Sequence, residues 1–308
     1  MSHYAIIDLG TNTCNLLISK LLPNGKTETL YDRKLPVKLG RGGIHKNILL
    51  PDAIERGIKV LQNHAITIAT YGVSNIKVIG TSALRGAANR DEFLLLVKEL
   101  LGWEIEIIDG ELEAALIFRG VTLTLPESIG KYLIVDIGGG STEFILAQDN
   151  RMIWKKSFNI GIARALETIQ MSDPVTSDEI TNFENWFNDH LTELWDICKQ
   201  HHPSILVGCS GAFDTFMDIY EQEEPDLKIR NISEFPLVNY RKIHEQLIKS
   251  DHETRAKMRG MDKMRVEMIV IASVFTNFIL QRLQINKLLH THNSLKEGAM
   301  DRFITNGI

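Results

Sequence analysis

Two carboxylates bracket a run of glycines in residues 132–146, YLIVDIGGGSTEFIL: Asp136 stands just before the run and Glu143 just after it. The four apolar residues Leu133, Ile134, Val135 and Ile137 predict a buried strand, and Phe144 onward a second one. Between them, Gly138, Gly139 and Gly140 leave backbone N–H groups with no Cβ in the way, and Ser141 and Thr142 add hydroxyls. That is a surface on which phosphate oxygens can sit closely. Carboxylates beside phosphate repel it unless a cation lies between, so the pattern calls for a hard, oxygen-ligated ion such as Mg2+.

The pattern occurs twice. Residues 4–18, YAIIDLGTNTCNLLI, lie over 132–146 without a gap, with Tyr4 on Tyr132, Asp8 on Asp136, Gly10 on Gly138 and Thr13 on Ser141, at a constant offset of 128 (136 − 8). A repeat this long is no solenoid unit; it implies two related half-molecules, each with a strand–loop–strand phosphate clip. Gly10, Thr11, Asn12 and Thr13 form the second loop, and Asp8 joins Asp136 and Glu143 as a candidate metal ligand. Two clips across a cleft could hold the two ends of a phosphate chain.

Two further residues have the right chemistry. Arg85 follows Thr81 and Ser82 in GTSALRGAAN, past the end of a predicted strand at 76–79, where a guanidinium could clamp a phosphate bidentately. A surface ion pair is the plainer role for such an arginine. Glu113 lies in the first turn of a helix opened by Gly110 in DGELEAALIFRGV. The helix dipole alone favours acidic residues there. A helix starting at a strand end between the two clips could instead aim Glu113 into the cleft as a general base.

These residues must be carried by a frame of strands and helices. The apolar spacing of Ile54, Ile58, Leu61, Ala65 and Ile68 predicts a helix over 51–70, and a strand–helix–strand unit then adds a parallel strand to the first sheet. Lys34 to Gly43 reads as a basic, glycine-bearing loop, either a solvated connection or part of the cleft mouth, residues 174–198 as one long helix begun by a Thr176–Glu179 capping box, and 256–283 as helix. An exposed acidic loop is expected over 222–228. Pro126 and Gly130 mark a boundary, giving domains 1–124 and 125–308, with a last helix near 294–308 able to pack back on the first. A net charge of −5 argues against nucleic acid or an anionic membrane as partner, and no stretch reads as membrane-spanning. Three scattered cysteines suggest reduced thiols and a cytoplasmic setting. His201–His202 and the nearby His290 and His292 have no companions at zinc-ligand spacing.

Together, DLGTNT, GTSALRGAAN, GELEAALIFRGV, DIGGGSTEF, GCSGA and the terminal SLKEGAM resemble the exopolyphosphatase/guanosine pentaphosphate phosphohydrolase (Ppx/GppA) family, in order and over nearly the whole chain. The resemblance implies an α/β protein with two ribonuclease-H-like domains of the actin–hexokinase superfamily and a site in the cleft between them. It implies a Mg2+-dependent hydrolase that releases terminal phosphate from polyphosphate or pppGpp, and leaves room for a homodimer. By motif, Glu113 corresponds to the carboxylate that activates water, Arg85 to the phosphate clamp, Asp136, Glu143 and Asp8 to the metal group, and the two loops to the phosphate cradles. The chain departs from the family pattern at Asn15, where Arg or His is common, and at Ala212, where a hydroxyl is common. It lacks the C-terminal helical domain of longer members, so a weaker hold on long polyphosphate is expected. A kinase or ATPase of the same superfamily, and a nucleotide or polyphosphate sensor without catalysis, remain as alternatives.

Overall fold

The computed structural model describes residues 2–225 and 231–305. The first half comprises β1 (His3–Leu9), β2 (Thr13–Leu21), β3 (Thr27–Pro36), α1 (Pro51–Thr70), β4 (Asn75–Gly80), α2 (Ser82–Gly86), α3 (Arg90–Leu101), β5 (Ile105–Ile107) and α4 (Gly110–Thr122). The second half opens with β6 (Lys131–Ile137), β7 (Thr142–Gln148), β8 (Arg151–Phe158), α5 (Ile162–Thr168), α6 (Ser177–His190), α7 (Thr192–His201) and β9 (Ile205–Cys209). It continues through α8 (Gly211–Glu221), β10 (Ser233–Glu234), α9 (Leu237–Lys249), α10 (His252–Ala256), α11 (Ile269–Arg282), β11 (Lys287–Thr291) and α12 (Leu295–Thr305).

The two sheets repeat one topology. Strand order is β3-β2-β1-β4-β5 in the first and β8-β7-β6-β9-β11-β10 in the second. In each, three antiparallel strands lead and two strands join in parallel. This is a duplicated ribonuclease-H-like α/β architecture, the fold class the motifs predict. The duplication extends to a defect: β2 slips register between Ile18 and Ser19, and β7 between Leu146 and Ala147, the same 128 residues apart. Both clip loops close with the same bond, Gly10 N–H to Thr13 O at 2.9 Å and Gly138 N–H to Ser141 O at 3.0 Å. β6 and β7 read as continuous apolar runs because helices or the other half cover both faces.

Three elements differ from the sequence reading, each for a local reason. The helix over 174–198 is two: the Thr176–Glu179 capping box forms, but Leu191 leaves the helical region and buries completely at a corner, so that α6 and α7 both face one core. Helix does not run through 256–283, because Gly260 takes a left-handed φ of 86° against the Asp218 backbone and the chain turns until Ile269. β3 runs on to Pro36, so Lys34 lies on a strand rather than in a loop. The acidic loop over 222–228 falls partly outside the described residues. Among the described residues no helix is long and apolar enough to cross a membrane. The three cysteines are free and buried.

The halves are joined by α4 and α12, which lie between the sheets in an apolar cluster that includes Ile6, Ile79, Ile134 and Val207. α12 follows the last strand of the second sheet yet packs on the first half, where Phe303 meets Tyr4 edge to face at 5.5 Å and Arg119 pairs with Asp301. The helices cross glycine on glycine. A Cβ at Gly298 would stand 1.8 Å from Leu116 O, and one at Gly120 2.0 Å from Ser294 O. Backbone blocks both, so neither helix can yield without moving away. Gly298→Val is expected to lower the melting temperature by several degrees, from an overpacking cost of about 1–3 kcal/mol. It should also lower turnover, because α4 carries Glu113. A thermal melt and an activity assay check this; an unchanged melt would remove the crossing as a constraint.

Candidate active site

Strand pairing places the carboxylates. Asp136 on β6 stands opposite Glu143 on β7 and beside Cys209 on β9. Asp8 on β1 stands opposite Asn15 on β2, whose Nδ2 donates to Asp8 Oδ2 at 2.8 Å. The departure at Asn15 therefore has a structural use: it satisfies a half-buried carboxylate. Ser157 on β8 donates to Glu143 Oε1 at 2.6 Å.

Glu113 is delivered by α4. Asp109 caps that helix, accepting from Leu112 N–H at 2.7 Å. The first turn seats against β8, where a Cβ on Gly110 would lie 2.4 Å from Ser157 Cβ. Since Ser157 also holds Glu143, the contact brings Glu113 to the Asp136–Glu143 pair. Arg85, on α2 after β4, donates to Glu113 Oε2 at 2.8 Å and to Ile108 O at 3.0 Å. Arg85 and Glu113 thus form a mostly buried ion pair. Asn89 of the same motif is structural, clamping Leu49 N–H and O at 2.8 and 2.9 Å.

Burial and mutual repulsion show in the proton affinities. Burial, then Glu113, Asp8 and Asp214, push Asp136 up to about 8, against Arg265. Burial, then Asp136, push Glu143 up to about 7, against the hydroxyls of Ser157 and Ser141. Asp8 rises to about 6 by burial, with Asn15 and Lys296 opposing. Glu113 is pushed well above the usual carboxylate range by burial and Glu143, while Arg85 pulls it back. Four carboxylates in one low-dielectric site repel, which is the setting a cation would relieve. Among the described residues no three His, Cys, Asp or Glu side chains are set to hold a metal by themselves. The donor set fits a small hard ion that takes one or two carboxylates and completes its shell with phosphate oxygens and water.

The glycine loops touch each other. A Cβ on Gly139 would come within 2.3 Å of Asn12 Nδ2, and one on Gly140 within 2.5 Å of Ser82 Oγ and 2.9 Å of Thr11 Oγ1. Besides leaving N–H groups open, these glycines let the halves close on one another. Gly10 lies beside Thr13 O within its own loop. Thr142 is fully buried and donates to Ile160 O at 3.2 Å.

From Asp8, Thr13 and Gly211 a cavity of about 520 Å³ opens outward. It is lined by charged residues: Asp32 and Lys34 on β3, Asp214 on α8, Arg265 before α11, His292 after β11 and Lys296 on α12. Arg265 lies against Gly211, where a Cβ would collide with its guanidinium at 1.6 Å, and its buried Nε has no hydrogen-bond partner among the described residues. Nothing local in the sequence marks Arg265 as the partner of this glycine.

Two duplicated hairpins with carboxylates near their strand ends, and a cavity lined by charges of both signs, define a duplicated ribonuclease-H-like α/β protein. The Ppx/GppA phosphatase family matches residues 21–306, and the chain belongs to it; it is a phosphohydrolase. An exopolyphosphatase from Cytophaga hutchinsonii, solved by crystallography, is 32% identical, with 99% of this chain and 98% of that one covered and a TM-score of 0.93. The Aquifex aeolicus family member is 26% identical over 99% of this chain and 98% of its own, with a TM-score of 0.80. The guanosine-5'-triphosphate,3'-diphosphate pyrophosphatase of Vibrio cholerae is 29% identical over 300 residues; that match spans 96% of this chain and 58% of the relative's length.

The raised carboxyls have a stability consequence. In the folded chain Asp136 and Glu143 bind protons more tightly than when unfolded, so they favour the fold at acid pH and oppose it as pH rises through about 7–8. In metal-free buffer, Asp136→Asn should therefore melt higher than wild type at pH 8, by about 2–4 °C per kcal/mol recovered. The difference should shrink toward pH 5. A variant that melts lower at pH 8 would show that Asp136 is charge-compensated in the metal-free fold.

Proposed function

We propose that this chain releases the terminal phosphate of inorganic polyphosphate or of pppGpp by attack of water, with Glu113 as the base. The observation that carries the reading is the Glu113 carboxylate, buried 2.8 Å from Arg85 and electrostatically coupled to Glu143 and Asp136. Its relatives named for polyphosphate and for guanosine-5'-triphosphate,3'-diphosphate supply the substrate classes.

In this reading the loops of Gly10, Thr11, Asn12 and Thr13 and of Gly138 to Thr142 offer backbone N–H groups to the terminal phosphates once the halves part. Asp136, Glu143 and Asp8 would hold Mg2+, which supplies charge neutralisation on the phosphate oxygens. Glu113 orients a water molecule and takes its proton as the oxygen bonds to phosphorus. The bridging P–O bond breaks, and the shortened chain leaves with its negative charge facing the cations of the cavity. Arg85 orients Glu113 through one N–H while its remaining donors can reach the transferred phosphate, a fork that lysine does not have. Positioning and neutralisation dominate such reactions, so the protein's share is geometry and charge. In this reading the domains are 1–124 and 125–308, and each brings one clip.

Glu113→Gln keeps the shape and removes the base. It should lower kcat by about 10²–10⁴-fold with KM nearly unchanged. The assay compares phosphate release from polyphosphate, pppGpp and ATP. Full turnover in this variant would return the chain to the sensor reading, and faster ATP than polyphosphate hydrolysis would favour a kinase-like enzyme. A chelator should abolish release and Mg2+ restore it; persistent turnover in chelator would remove the metal.

A further inference from the structure

The cavity beyond the clips is electrically crossed rather than simply basic. Asp32, from β3 of the first half, reaches over to two cations of the second half, Lys296 at 3.1 Å and His292 Nε2 at 3.4 Å. The other ring nitrogen of His292 faces Asp214 at 3.5 Å, and Asp214 also accepts from His290 at 2.9 Å. Lys34 of the same strand meets Asp262 at 3.1 Å. These side chains are 16% exposed or less, so the pairs are little screened. Burial would drive His292 to lose its proton, but Asp214 and Asp32 hold it as a cation up to about 10. Burial would also raise Asp32, yet His292 and Lys296 keep it ionised. The cavity therefore has fixed cations, and Asp32 sits on two of them where an anion of the substrate would go.

We propose that Asp32 is a specificity-determining residue that limits the length of phosphate chain the cavity accepts, its carboxylate standing in for a distal phosphate on Lys296 and His292. The inference rests on the hydrolase reading above for the direction in which the chain runs, from the clips outward past Asp8 and Gly211. A short chain ends before Asp32 and leaves the bridge intact. A long chain must displace Asp32 from both cations and place phosphate beside a carboxylate. Asp32 also ties the halves together, so its displacement couples distal binding to cleft opening. A purely structural bridge would hold the halves without regard to chain length, which gives the test its contrast.

The test is calorimetric titration of tripolyphosphate and of a chain several tens of phosphates long into wild type and Asp32→Asn, beside phosphate release from both. In wild type, affinity should level off at short lengths. In Asp32→Asn the long chain should bind about tenfold more tightly relative to tripolyphosphate, the effect of removing one of the two carboxylates that hold each cation, since Lys296 keeps Glu297 at 2.7 Å and His292 keeps Asp214 at 3.5 Å. Equal tightening for both lengths, or a lower melting temperature with the ratio unchanged, overturns the proposal. If Asp32→Asn does not fold, Asp32→Ser is read the same way, and a wild type whose affinity keeps rising with chain length overturns the idea without any variant. The two readings fail separately. A shifted ratio without phosphate release by wild type would remove the hydrolase, whereas release with an unshifted ratio would remove the role of Asp32.

Discussion

The crowding of half-buried Asp8 with buried Glu113, Asp136 and Glu143 at one junction is the constraint to which the rest of the structure responds. Four carboxyl groups in a low-dielectric space cost free energy whether they hold protons or repel as anions. No single element can gather them. Two come from facing strands of the second hairpin, one from the equivalent strand of the first, and one from a helix between the sheets. The glycine-on-glycine crossing of α4 and α12 and the seat of Gly110 on Ser157 are what bring the helix close enough. Stability is given up locally, and the crowded negative charge is what a bound cation would relieve.

What was legible in the sequence was what local pattern encodes. Asp136, Glu143, Asp8 and both loops were visible because a strand–loop–strand unit spans about fifteen residues and occurs twice at a fixed offset. The offset was reliable enough that even the bulge in β2 reappears in β7. Glu113 and Arg85 were visible as polar residues just past strand ends, but their 2.8 Å pairing was not, since it depends on how α2 and α4 lie against one another. The glycines of the second loop were read as room for phosphate, while the structure adds a second demand, contact with Asn12, Thr11 and Ser82 of the other half.

What was not legible came from distance in the chain. Asp32, Lys34, Asp214, Arg265, His292 and Lys296 share one cavity, yet no two of the elements that carry them are paired strands. Lys34 was assigned to a loop because Pro36, Gly40, Gly42 and Gly43 dominate the local composition; pairing with β2 overrode that signal. His290 and His292 were weighed only as zinc ligands and set aside. Their partners are carboxylates on α8 and β3, which no spacing rule connects.

Charges of each half are compensated by partners on the other. Asp32 of the first half is held by His292 and Lys296 of the second, and Asp262 of the second half by Lys34 of the first. Lys296 also opposes the burial of Asp8, so one cation on α12 serves both the cavity and the clip. Separating the halves would strand each of these charges without its partner, and an unpaired buried charge is far costlier than a pair. Opening is therefore feasible only where water, a cation or phosphate replaces the lost partner as it leaves. A polyanion supplies that replacement for the lysines and histidine, but not for Asp32 and Asp262, which need a cation or water in turn. On the proposed reading, the ion pairs that shape the cavity would couple substrate binding and metal binding to any movement of the halves.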